Sequence, residues 1–135
     1  MTAYVPMQLP VQEILALLIF ATFRKTFTLN TGDKIPAIGL GTWQSAPNEV
    51  RNAVKVALQK GYRHIDTALA YGNEKEVGQG IKDSGVPRKE IWLTTKLDNT
   101  WHHIVPKGIE TSLKDLDTDY VDLYLMVKDG DLIET

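Results

Sequence analysis

Three side chains that together can hand a proton to a carbonyl oxygen fall at successive strand ends of this chain: Asp66, Tyr71 and Lys96. Asp66 sits in the run Arg63-His64-Ile65-Asp66-Thr67-Ala68, Tyr71 follows in the next loop, and Lys96 comes near the end of the run Ile91 to Leu97. Free tyrosine, with a pKa of about 10, is a sluggish acid at neutral pH. An ammonium within about 4–6 Å favours the phenolate and so makes the phenol a better donor. A carboxylate paired with that ammonium keeps it charged and aimed. Tyr71 is therefore the candidate general acid, and the accompanying hydride has to come from a cofactor, because no side chain supplies one. Each residue also has a plainer reading. Asp66 could cap a turn, Lys96 could be a solvated surface charge, and Tyr71 could pack over Gly72-Asn73.

What has to position these groups is an alternation of strands and helices. Phe27 to Ile35 reads as a hairpin around Asn30-Thr31-Gly32-Asp33. Ile38 to Trp43 reads as a short strand entering a glycine-bearing loop. Val50, Ala53, Val54, Ala57 and Leu58 recur at helical spacing, with Pro47 near the start and Gly61 past the end. The second strand spans Arg63 to Ala68, where parity puts His64 and Asp66 on one side and Arg63 and Ile65 on the other. A second helix begins near Asn73, a plausible N-cap, and runs to Gly85 and Pro87. After the third strand, Pro106 opens a helix carrying Ile109, Ser112, Leu113 and Leu116. Tyr120 to Val127 is dense in apolar residues, as a strand buried on both faces should be. The alternation predicts an α/β fold with a parallel sheet, whose strand C-termini share one face where the three groups can meet. Gly39-Leu40-Gly41 lacks the third glycine of a dinucleotide fingerprint.

The chain has 135 residues, 43% of them hydrophobic, a net charge of −2 and no cysteine. That rules out disulfides and thiol chemistry, fits the cytoplasm, and offers no electrostatic draw toward nucleic acid or an anionic membrane. Ile14 to Phe23 is apolar except for Thr22, which is too short for a span of about 20 residues. No Lys or Arg precedes it as a secretory signal would require. Residues 1–25 are therefore expected to be an atypical extension. No metal site is expected, since His102-His103 lack further ligands at suitable spacing, and His64 is expected to be an interior side chain.

Gly61-Tyr62-Arg63-His64-Ile65-Asp66-Thr67-Ala68, followed by Glu74 and Val77-Gly78, resembles the first signature of the aldo-keto reductases. Ile38 to Ser45, Ser84 to Arg88, Thr94 to Leu97 and Asp119 to Met126 match the same family. The resemblance covers Phe27 to Met126 and is nearest to the fungal-type reductases of sugars, glycerol-related carbonyls and aldehydes. It implies a (β/α)8 TIM barrel that uses NADPH, less often NADH, to reduce a small aldehyde or ketone. By position, Tyr71 would be the proton donor, Lys96 its activator and Asp66 the holder of Lys96. Gly41, Thr42 and Trp43 would line the cofactor cleft, Trp43 would also touch substrate, and Asp66 would lie near the nicotinamide ribose.

The resemblance breaks at Val127-Lys128-Asp129-Gly130, where the family carries His-Trp-Pro and its fourth catalytic residue. A full barrel takes about 250 residues, so residues 26–127 are expected to hold only the hairpin, four strands and three helices, and 128–135 a divergent tail. The expected protein is thus a shortened reductase. The alternative is a catalytically silent fragment that associates with itself or a full-length relative through its exposed strand edges.

Overall fold

In the computed structural model, which describes residues 25–46 and 48–126, strands and helices alternate in the expected order. The apolar run Ile14 to Phe23, Pro47, Val127 and the tail 128–135 lie outside the described residues. The hairpin is formed by β1 (Thr26–Thr28) and β2 (Lys34–Pro36), antiparallel with Phe27 opposite Ile35. Its turn is closed by Leu29 N donating to Asp33 O at 2.8 Å and Gly32 N to Leu29 O at 3.0 Å.

Four parallel strands follow: β3 (Leu40–Gly41), β4 (His64–Asp66), β5 (Trp92–Leu97) and β6 (Leu123–Met126), side by side in sequence order. Their crossovers are α1 (Glu49–Gln59), α2 (Glu74–Ser84) and α3 (Val105–Leu116). Of the face predicted for α1, Val50, Val54 and Leu58 pack, Ala57 is half-buried and Ala53 is exposed. Val50, Val54 and Leu58 are buried with Ile65 of β4, Val77 and Ile81 of α2, Leu93 of β5 and Leu116 of α3. Each such side chain contributes about 1.5–3 kcal/mol when fully buried, and together they seat the helices against the outer face of the sheet. Close approach of α2 depends on Gly78: a Cβ there would collide with the backbone of Leu116.

Between the sheet and α2 lies a buried polar cluster. Glu74 is only 2% exposed, and its Oε1 accepts from Thr95 Oγ1 at 2.5 Å. Its Oε2, the Ser112 hydroxyl and the Tyr124 hydroxyl are buried without hydrogen-bond partners. Burial pushes the Glu74 carboxyl above its ordinary range; the Thr95 and Ser112 hydroxyls work against the rise, and nearby Asp115 adds to it. Burial likewise raises Tyr124, with the Glu74 charge adding to it.

At the opposite end of the sheet from the loops carrying Trp43 and Tyr71, Arg88 pins the entry to β6. Its guanidinium donates to Thr118 Oγ1 (3.1 Å), Ile91 O (2.5 Å), Tyr120 O (2.9 Å) and Asp122 Oδ2 (2.8 Å), and it lies 4.1 Å from the Tyr120 ring centroid. Asp122 Oδ2 also accepts from Leu93 N at 2.9 Å. The strand itself is shorter and more open than the apolar run suggested. Leu125 and Met126 are exposed, Met126 at 65%, because among the described residues β6 has a neighbour on one side only.

Candidate active site

The strand register brings the three chemically promising groups together. Asp66 ends β4 opposite Thr94 of β5, and Lys96 lies two residues farther along, on the same side of the sheet as Thr94. After β4 the chain makes one 3-10 turn, Leu69–Tyr71, and leaves it through Gly72 at a φ of 68°. That left-handed position is open to glycine at no steric cost, and it turns Tyr71 back over the strand ends.

Lys96 is the hub. Its Nζ is ion-paired with Asp66 Oδ1, donates to Thr67 O at 2.9 Å, and donates to Tyr71 Oη at 3.2 Å. An ammonium has three donors, and here each has an acceptor. The Tyr71 oxygen therefore receives a hydrogen from Lys96, and its own O–H is left to point elsewhere. The Lys96 side chain is 15% exposed and that of Asp66 37%, so the pair sits at the water boundary with the lysine on the inner side.

The open side of Tyr71 faces a cleft of 440 Å³ whose lining includes Trp43, Ala68, Lys96, Asn99 and Thr100. The Trp43 and Tyr71 rings lie 6.5 Å apart, centroid to centroid, tilted by 32°. Gly41 precedes this wall, and a Cβ there would meet nothing within 4 Å. Thr42 is different. It is fully buried, its N–H donates to Asp66 O at 3.0 Å, its hydroxyl donates to Thr67 Oγ1 at 2.9 Å, and its carbonyl accepts from Asn73 Nδ2 at 2.9 Å. Thr42 thus braces the loop from within, while Gly41 and Trp43 form its outer surface.

Asn73 stands at the N-cap position of α2 as expected, yet its side chain makes no capping bond. It reaches across to Thr42 instead, and that tie was missed because only the tertiary structure brings the two loops together. Asn99 and Thr100 were also missed as cleft residues. His102 and His103 are not among the cleft-lining residues. His64 points inward beneath the site, with Nε2 3.1 Å from Thr94 Oγ1 and Nδ1 3.4 Å from Pro36 O, and burial lowers its pKa. Among the described residues, no group of three or more His, Asp or Glu is placed to hold a metal, and no helix is long and apolar enough to cross a membrane.

The described residues thus form a parallel sheet with outer helical crossovers and a carboxylate–lysine–phenol unit at the strand C-termini. The profile described as Aldo/keto reductase family matches residues 37–128. The chain is 63% identical over 102 residues to an uncharacterized oxidoreductase of Schizosaccharomyces pombe, covering 74% of this chain and 32% of that protein. It is 62% identical over 102 residues to the glycerol 2-dehydrogenase (NADP(+)) of Saccharomyces cerevisiae, covering 76% of this chain and 33% of that protein. Among solved structures, an aldo-keto reductase from a Medee basin deep-sea metagenome superposes with a TM-score of 0.73 at 53% identity, over 77% of this chain and 39% of the other. The chain belongs to the aldo/keto reductase family, and the described residues form part of that family's (β/α)8 barrel. It spans about a third of the length of the curated relatives it matches.

Proposed function

We propose that this protein is an NADPH-dependent reductase of aldehydes and ketones in which Tyr71 is the proton donor, Lys96 its activating ammonium and Asp66 the group that holds Lys96. The observation that carries the proposal is the threefold coordination of Lys96 Nζ by Asp66, Thr67 O and Tyr71, beside an open cleft. With Lys96 donating to the phenol oxygen, the Tyr71 O–H is free to donate to a carbonyl oxygen in the cleft. As the proton leaves, the negative charge that develops on the phenol oxygen faces an ammonium rather than water, which is stabilisation of the transition state by a preorganised charge. Asp66 keeps that ammonium paired and aimed. Trp43 offers an apolar wall for the substrate.

A dinucleotide, when bound, would supply the hydride. The residues present suit its nicotinamide end: Gly41 leaves open space, Trp43 offers a flat face, and the partly exposed Asp66 carboxylate can accept from a ribose hydroxyl. A cleft of 440 Å³ falls within the usual range for small-molecule sites, about 300–1,000 Å³. NADPH is preferred over NADH in this reading because a relative at 62% identity is named for NADP(+). The same reading takes 26–127 as the barrel portion, 1–25 as an extension and 128–135 as a tail, and sets the protein in the cytoplasm.

The test is NADPH oxidation by the purified chain in the presence of an aldehyde. Carbonyl-dependent turnover is expected, falling about 10²–10⁴-fold in Tyr71→Phe. No carbonyl-dependent turnover, or full activity in Tyr71→Phe, overturns the proposal. A second reading rests on the exposed Leu125 and Met126 of β6, a strand edge without a neighbour among the described residues and suited to pairing with another copy or a full-length relative. Light scattering after size exclusion tests self-association, and a well-folded monomer argues against it.

A further inference from the structure

We infer that Asn73 is a positioning residue that locks the Trp43 loop to the Tyr71 loop and so holds the two aromatic walls of the cleft in register. The inference rests on the reductase reading only for its kinetic consequence. Asn73 lies two residues after Tyr71, and its Nδ2 crosses to Thr42 O, the residue just before Trp43. A side-chain hydrogen bond of 2.9 Å therefore ties the Tyr71 loop to the backbone just before Trp43, in addition to the bonds Thr42 makes to Asp66 O and Thr67 Oγ1.

Two features argue that this tie serves the site rather than the helix. First, Asn73 occupies the N-cap of α2 and does not cap it, although a short polar side chain there ordinarily accepts from the first turn. Second, reaching Thr42 leaves Asn73 Oδ1 buried without a partner. A buried unsatisfied group in a folded protein calls for an explanation, and fixing the Trp43 loop supplies one.

Trp43 needs such an anchor. The residue is 68% exposed, so packing does little to hold it. It sits at a tight turn in which Ser45 N also donates to Thr42 O at 3.3 Å and Gln44 takes a φ of 58°. Thr42 O is thus the pivot of the turn, and Asn73 fixes the pivot. With the tie cut, the turn can swing while the buried Thr42 hydroxyl remains bonded to Thr67.

The test is NMR of the folded chain, with the Trp43 indole signal identified from Trp43→Phe. In wild type, the Asn73 side-chain amide protons should exchange slowly. In Asn73→Ala, and in Asn73→Asp, which keeps the size but loses the donor, the Trp43 indole resonance should shift and the Ser45 amide, which donates to Thr42 O, should exchange at least about 10-fold faster. Amides of α1 and β5 should keep their protection, which separates loss of position from loss of fold. An unmoved indole in both variants, protection lost evenly across the molecule, or a wild-type Asn73 amide exchanging like an exposed one overturns the inference; the last holds even if neither variant folds. Where wild type turns over, KM should rise about 10-fold or more with a smaller change in kcat, since misplacement of about 1 Å can cost up to 10²-fold. If wild type is inactive, the reductase reading fails while the resonance and exchange data still decide the role of Asn73.

Discussion

Replacing Glu74 with glutamine should stabilise the protein at mildly alkaline pH and do little at acid pH. The carboxyl is 2% exposed, with one oxygen bonded to Thr95 and the other buried without a partner, between α2, β5 and α3. Burial raises its pKa in the folded state, and the sign follows from that direction. A raised acid binds its proton more tightly folded than unfolded, so its favourable contribution is complete below the unfolded value of about 4.3. That contribution is lost as pH climbs through the folded value. Glutamine keeps the shape and the acceptor for Thr95, gains a donor that the nearby Ser112 hydroxyl can accept, and never ionises. Leaving a buried polar atom unsatisfied costs about 1–3 kcal/mol, which sets the expected gain for Glu74→Gln near pH 8. In a domain of this size each kcal/mol moves Tm by about 4–8 °C. Thermal or urea unfolding of both proteins at about pH 4 and about pH 8 makes the comparison, and groups common to the two cancel in the difference. The same difference at both pH values, or a less stable variant at the higher pH, refutes the reasoning.

Lys96→Met removes the ammonium that donates to Tyr71, so kcat should fall about 10²–10⁴-fold with KM little changed; an active variant in steady-state kinetics contradicts the role given to Lys96. Arg88→Ala deletes four hydrogen bonds and takes the cation from Asp122, which keeps its bond from Leu93 N, and should cost about 1–3 kcal/mol. Urea unfolding measures that loss, and amide exchange should be fastest over Leu123–Met126; equal stability shows that Arg88 does not hold β6. Gly78→Ala drives a methyl into the Leu116 backbone and should cost about 1–3 kcal/mol by overpacking. Unchanged unfolding in that variant means that α2 and α3 separate freely.

Much of this was legible because short-range pattern and fold geometry agree. Helical spacing picked out Val50, Ala53, Val54, Ala57 and Leu58, of which Val50, Val54 and Leu58 are the buried face of α1 and Ala53 is exposed. Strand parity put His64 and Asp66 on one side, and the shared C-terminal face of a parallel sheet made contact among Asp66, Tyr71 and Lys96 a reasonable expectation. The failures concern partners remote in the chain. Tyr120 to Val127 looks like an interior strand by composition, but burial depends on the neighbours a strand acquires, and β6 has one among the described residues. Asn73 looks like a cap because caps are chosen by residue type and position. Whether its amide bonds its own helix or a loop 31 residues away is a tertiary distance. Arg88 and Asp122, separated by 34 residues, carried no local signal at all.

The proposed proton-delivery unit draws on a small part of the barrel. Asp66, Thr67 and Tyr71 come from one strand end and its turn, and Lys96 from the adjacent strand, so the neighbouring pair β4 and β5 builds all of it. Its precision comes from the count of donors. Turning Lys96 toward Asp66 alone would give up the bonds to Thr67 O and Tyr71, so the ammonium is held where all three acceptors converge on one nitrogen. A guanidinium carries its charge in a plane and spreads its donors over three nitrogens, and could not meet three acceptors gathered around a single point. The arrangement therefore selects lysine over arginine at position 96 on geometry, with the charge alone being insufficient. It also explains why a peptide carbonyl, Thr67 O, belongs to the site as much as the two side chains do: without it the ammonium would have a spare donor and freedom to rotate away from Tyr71.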